Sequence, residues 1–204
     1  MDNHNSKPLK KLVAIASSTG GPRVLYHLIP SLPENLDAPV LIVQHMPARF
    51  TKSMADNLNQ KSQLEVKEAE DGEILKSGWV YIAPGGFHMT IEEVAPASGG
   101  GHKVELNQQP PVMGLRPYAN YMYQSLSTSS FDEITCVVLS GMGNDGTEGI
   151  FSLKQKKPIH VICQDAESSV VYGMPKSVVQ AELADEVLPF TEIAQSILRN
   201  VGVR

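Results

Sequence analysis

Cysteine is scarce in this chain of 204 residues: there are two, Cys136 and Cys163. Each sits inside an apolar, β-branched run, "ITCVVL" and "HVICQ", where a thiol serves as a small hydrophobe. Neither a disulfide nor a thiol nucleophile is expected. The cysteines and the six histidines fall at no spacing that suits zinc, so no metal site is expected, and nothing implies a small-molecule cofactor. Long apolar runs are missing as well. "PVLIVQHM" and "ITCVVL" are far shorter than the roughly 20 residues of a spanning helix, and "MDNHNSKPLKK" at the start lacks the apolar core of a signal peptide. The expectation is a soluble, cytoplasmic protein with no direct membrane insertion. Positive charge is not in excess either: 17 basic and 22 acidic residues give a net charge of -5. They are interleaved, which leaves no basic stripe for a nucleic-acid backbone and argues against such a partner.

What is present is a regular alternation. At 42% hydrophobic, a chain of this length buries about two-thirds of its unfolded surface in one core, so residues 11–204 are expected to form a single domain. Residues 1–10 are polar and aperiodic and read as a tail or linker remnant. From Leu12 onward, short apolar runs alternate with stretches of helical period: "KLVAIA" then 22–30, "PVLIVQ" then 49–60, "ITCVVL" then 146–156. Further strands are expected at 64–69, 79–83, 159–164 and 185–188, and further helices at 116–129, 175–183 and 192–201. This pattern predicts an α/β fold with a doubly wound, mostly parallel sheet and helices on both faces, because strands covered on both sides are apolar almost throughout. Around "APASGGG", two alternating stretches between about 88 and 107 predict an appended antiparallel hairpin.

In such a sheet, the loops that leave the C-terminal strand ends share one rim, and ligands bind there. Ser18 follows "LVAIA", His45 follows "VLIVQ", and Asp145 lies in "SGMGNDG" after "ITCVV". A hydroxyl becomes a good nucleophile when an imidazole takes its proton and a carboxylate orients that imidazole, so the three together suggest acyl transfer. Rival readings remain at this level. The turn "SSTGGP" also suits a phosphate site at a helix start or a plain structural bend, although no G-x-G-x-x-G or Gly-Lys-Ser ending is present. His88, after "APGGF", suits the crevice as a binding residue or a loop position, and His45 itself could be structural. Asp165, in "QDAESS", leaves a strand end just as Asp145 does. The glycines around Asp145 favour it as the carboxylate near a reacting centre, but they are also ordinary turn chemistry.

The ordered set "IASSTGG", "VQHMPARFT", "EAEDGE", "YIAPGGFHM", "LRP", "LSGMGNDGTEG" and "QDAESSVVYGMP" resembles the catalytic domain of the CheB-type chemotaxis methylesterases, from about residue 11 to 200. The resemblance implies hydrolysis of glutamate γ-methyl esters, and deamidation of glutamines, on chemoreceptor cytoplasmic domains. It puts the nucleophile on Ser18, the base on His45 and the acid on Asp145, which decides between Asp145 and Asp165. It also puts Thr19 and Met142 beside the oxyanion, and His88 and Arg116 are the candidate substrate-binding residues. The partners implied are methyl-accepting chemotaxis receptors and a phosphoacceptor receiver domain, for which this chain has no segment. The stretch 112–123, with Met113 and Tyr118, departs from the family pattern and puts substrate choice in question. "SLKQKKPIHV" lacks a customary glycine, a change expected to affect packing. The competing functional reading is a receptor-binding or regulatory module that keeps the fold without turnover.

Overall fold

The central apolar runs, "KLVAIA" and "PVLIVQ" above all, find one another as parallel neighbours because they are covered on both faces, while polar side chains appear at the edges of the sheet. In the computed structural model, which describes residues 9–95 and 100–204, β1 (Lys11–Ser17), β2 (Val40–Gln44), β3 (Glu65–Glu68), β4 (Trp79–Ile82), β7 (Glu133–Val138), β8 (Ile159–Gln164) and β9 (Glu186–Leu188) form one sheet. Its order is β3-β4-β2-β1-β7-β8-β9, and every pairing in it is parallel. Successive residues alternate between two cores. Leu12, Ala14 and Ala16 face α3 (Ala119–Ser125), α4 (Thr147–Lys154) and α5 (Met174–Gln180). Val13 and Ile15 face α1 (Gly21–Leu28), α2 (Phe50–Asn59) and α6 (Phe190–Val201). Cys136 and Cys163 are buried and unpaired, and burial pushes both thiols up, that of Cys163 to about 12.

From β1 the chain builds outward through β2 on one side, and β7 continues through β8 and β9 on the other. The order therefore reverses between β1 and β7, which makes the C-terminal ends of these strands the switch point where open parallel sheets bind ligands.

The hairpin of β5 (His88–Glu93) and β6 (His102–Asn107) is antiparallel and forms its own two-stranded sheet. It does not extend the edge of the parallel sheet. Its one apolar face, with Met89, Ile91 and Val104, covers α3 and joins the core of Met122 and Leu126. Residues 96–99 of the expected turn, and residues 1–8 of the expected tail, lie outside the described residues. The helix expected over 116–129 is shorter, Ala119–Ser125, and runs into a 3-10 turn at Leu126–Thr128. Tyr118, after Pro117, is still extended, and the first turn starts only where Asp145 accepts its N–H groups. The helix expected over 175–183 stops at Gln180, because Glu182 turns to a φ of 56°. No helix among the described residues is long and apolar enough to cross a membrane.

Candidate active site

Ser18 is the first residue past β1, and its backbone is gripped from both sides. Its N–H donates to Ser140 O beyond β7 (3.0 Å), and its carbonyl accepts from Gly21 N–H (2.9 Å) and from Gln44 Nε2 at the end of β2 (3.0 Å). Gln44 Oε1 in turn accepts from Ser17 Oγ (2.7 Å). The turn into α1 needs Gly20, whose φ is 86° and whose missing Cβ would lie 2.6 Å from Ser140 Oγ. The loop after β7 passes just as close: a Cβ at Gly141 would lie 2.8 Å from Ser18 Cβ and closer still to Met174 Sδ.

His45 continues β2, with its N–H on Ser17 O (3.0 Å), and its ring turns toward the loop after β7. There His45 Nε2 meets Asp145 Oδ2 at 2.7 Å, with the two side chains only 6% and 3% exposed. The carboxylate is held by backbone as well: Ala119 N–H donates to Oδ2 (2.6 Å) and Asn120 N–H to Oδ1 (2.9 Å). A carboxylate in its ionised form only accepts, so a contact of this kind takes its proton from Nε2 and leaves Nδ1 as the second ring nitrogen. This is the reverse of the familiar serine-protease arrangement, in which Nδ1 faces the acid. Among the described residues Ser18 Oγ makes no hydrogen bond to the ring. The N–H groups of Thr19, next to Ser18, and of Met142, next to Gly141, donate to no protein oxygen among the described residues.

The model of the CheB methylesterase family matches residues 13–197. The chain belongs to this family. A protein-glutamate methylesterase/protein-glutamine glutaminase of Desulfotalea psychrophila is 46% identical over 98% of this chain and 54% of its own length. One of Bacillus licheniformis is 46% identical over 93% of this chain and 52% of its own. The chain thus spans about half the length of the curated relatives it matches. The crystal structure of the Thermotoga maritima CheB methylesterase catalytic domain superposes with a TM-score of 0.86 at 44% identity, covering 92% of this chain and 97% of that one.

Within this CheB-family fold, His45 and Asp145 are brought into contact, with Ser18 on the same rim. His88 and Arg116 are engaged elsewhere. His88 is fully buried, packs edge-on against Tyr121 at 4.9 Å, and has Nε2 3.3 Å from Pro110 O. Burial holds its pKa below the ordinary imidazole value. Arg116 Nη1 donates to the carbonyls of Gln108 and Gln109, both at 3.1 Å. The two residues fasten the 108–117 segment. Met113 stands at its tip, 81% exposed and with a φ of 51°. It borders a cleft of about 330 Å³ with Tyr118, Asn144 and Phe151, beside Asp145 but lined by none of Ser18, His45 and Asp145.

Sequence reasoning passed over Gln44, Ser140 and Gln164. Each is a buried polar residue at the end of an apolar strand: Gln44 ties the Ser18 and His45 backbones, Gln164 Oε1 accepts Ser140 N–H (2.8 Å), and Ser140 Oγ donates to Thr19 O (2.8 Å). The signal was there, since a polar side chain closing an apolar run must find buried partners. Asn120 was passed over for another reason, because inside "YANYMY" it looks like any helical polar residue.

Proposed function

We propose that this domain hydrolyses glutamate γ-methyl esters on the cytoplasmic helices of chemoreceptors, and deamidates glutamines there, with Ser18, His45 and Asp145 as a catalytic triad. The observation that carries the reading is the His45 Nε2–Asp145 Oδ2 contact, buried and braced by two backbone N–H groups, which leaves Nδ1 as the free base on the rim of Ser18. Ser18 Oγ attacks the γ-carbonyl carbon while its proton passes to His45 Nδ1. The resulting imidazolium is stabilised by Asp145. The N–H groups of Thr19 and Met142 are free to hold the oxyanion. Collapse of the tetrahedral intermediate expels methanol, which takes the proton back from Nδ1. Water, activated by the same nitrogen, then attacks the γ-glutamyl ester of Ser18 and releases glutamate and the free serine. With a glutamine, ammonia leaves in place of methanol. The Ser18–ring hydrogen bond is closed when substrate binds, since catalytic contacts commonly tighten only in that complex.

The names of the relatives support the substrate class, and the N–H groups of Thr19 and Met142, without a protein acceptor among the described residues, support the chemistry. The test is methanol release from a methylated chemoreceptor cytoplasmic fragment by the wild type and by Ser18→Ala. Loss of release in the variant is expected. Equal rates would remove the nucleophile, and receptor binding without release by the wild type would favour a module that binds and does not turn over.

A further inference from the structure

Asn120 is 3% exposed, and the proposed chemistry gives its side chain no task. Yet every polar atom of that side chain is used. Oδ1 accepts from Gly146 N–H (3.0 Å) and Gly149 N–H (2.7 Å), and Nδ2 donates to the Tyr118 hydroxyl (2.8 Å). Gly146 is the N-cap of α4 and has no side chain to satisfy the amides of the first turn, so Asn120 does this from the neighbouring helix. In return, Asp145, the residue just before Gly146, accepts the N–H groups of Ala119 and Asn120 at the start of α3. Two helices exchange caps, and the acid of the site is one of the two capping groups. The approach is close enough to require glycine: a Cβ at Gly149 would lie 2.8 Å from both the Cα and the carbonyl oxygen of Asn120.

Asp145 sits in a turn between Gly143 and Gly146, with φ of 87° and 103°. Glycines leave such a turn free to adopt other shapes, so its conformation depends on bonds made from outside. We propose that Asn120 is a positioning residue for the reaction: by gripping the Gly146 and Gly149 amides it fixes the peptide that follows Asp145. It thereby sets the carboxylate that aims the His45 ring at Ser18. This rests on the reading of Ser18, His45 and Asp145 as one triad.

The test compares Asn120→Ala, which loses both acceptor bonds, with Asn120→Asp. The aspartate keeps them, because one carboxylate oxygen can accept from both amides while the Tyr118 hydroxyl donates to the other. In the alanine variant, kcat for methanol release from the methylated receptor fragment falls on the order of 10²-fold with little change in KM. Labelling of Ser18 by a fluorophosphonate slows in parallel, and the low-field proton resonance of the His45–Asp145 hydrogen bond is lost. The aspartate variant recovers all three. Circular dichroism reports folding, and if the alanine variant does not fold, Asn120→Ser, too short to span both amides, takes its place with the same expected order. A wild-type kcat in the alanine or serine variant overturns the proposal. So does a loss of rate with the low-field proton intact and no recovery by aspartate. If the wild type releases no methanol, the esterase reading fails by itself, and the labelling rates and the proton resonance decide for or against the clamp by the same order.

Discussion

Two histidine–carboxylate pairs in this domain have equal length and different company. His45 Nε2 lies 2.7 Å from Asp145 Oδ2, and His160 Nε2 lies 2.7 Å from Glu186 Oε1. The first pair is nearly sealed, at 6% and 3% side-chain exposure, and the second is open, at 33% and 24%. Asp145 is held by backbone N–H groups, whereas Glu186 is held by side chains, the buried Ser196 Oγ at 2.6 Å and the exposed Arg199 Nη2 at 2.9 Å. His160 is the second residue of β8 and Glu186 the first of β9, so this pair sits toward the starts of its strands, away from the rim where Ser18 emerges. The contact distance therefore says little about chemistry. What separates the pairs is the strand end they occupy and the exclusion of water that strengthens a charge interaction.

The most severe way to break this comparison is to neutralise each carboxylate in turn. Asp145→Asn keeps the shape but lets the imidazole adopt the wrong tautomer, and kcat for methanol release is expected to fall on the order of 10⁴-fold. Glu186→Gln is expected to leave kcat unchanged. Methanol release and fluorophosphonate labelling of Ser18 measure both. An Asp145→Asn variant as active as the wild type would make the first pair as structural as the second.

Much of this contrast was legible beforehand. Strand ends can be read from where an apolar run stops, which puts Ser18, His45 and Asp145 on one rim, whereas His160 lies at the opening of its run. The carboxylate was not legible from pattern, since Asp165 also follows a strand. Its own turn absorbs it: Asp165 Oδ1 accepts from Ser168 N–H (2.9 Å) and Ser168 Oγ (2.5 Å). Local spacing does not reveal which of two turns folds onto itself and which reaches across to another helix. For the same reason Asn120 was invisible, because its partners are 26 and 29 residues away. The hairpin was legible from its alternation, but what its apolar face covers was not, because alternation reveals a face and not the helix it packs on.

A second intervention sharpens the comparison by disturbing the hydroxyl and sparing the pair. Gly141→Ala drives a methyl group against Ser18 Cβ, which yields only with backbone movement, and against the buried Met174 Sδ. The His45–Asp145 contact lies outside that collision. The expected outcome is a fall in kcat on the order of 10²-fold from a displaced nucleophile, with a loss of about 1–3 kcal/mol in stability from overpacking. Methanol release and urea unfolding separate the two effects. An unchanged rate would mean that the position of Ser18 is less constrained than its close neighbours imply.

The mildest intervention concerns the open pair and is read in stability, not in rate. Burial pushes the Glu186 carboxyl up, but the hydrogen bonds from Ser196 and His160 and the charges of His160 and Arg199 outweigh it and hold its pKa below the ordinary 4.5. A carboxyl that is more acidic folded than unfolded makes the native state bind fewer protons. Its contribution is therefore complete above pH 4.5 and is lost as the pH falls through the lower folded value. Because the pair is partly exposed, the contribution is expected to be below ~1 kcal/mol. In urea unfolding, Glu186→Gln should be slightly less stable than the wild type at neutral pH, and the gap should close on acidification below 4.5. A gap that widens in acid would reverse the sign of the linkage and show that Glu186 is a strained carboxyl, which would bring the open pair closer in character to the sealed one.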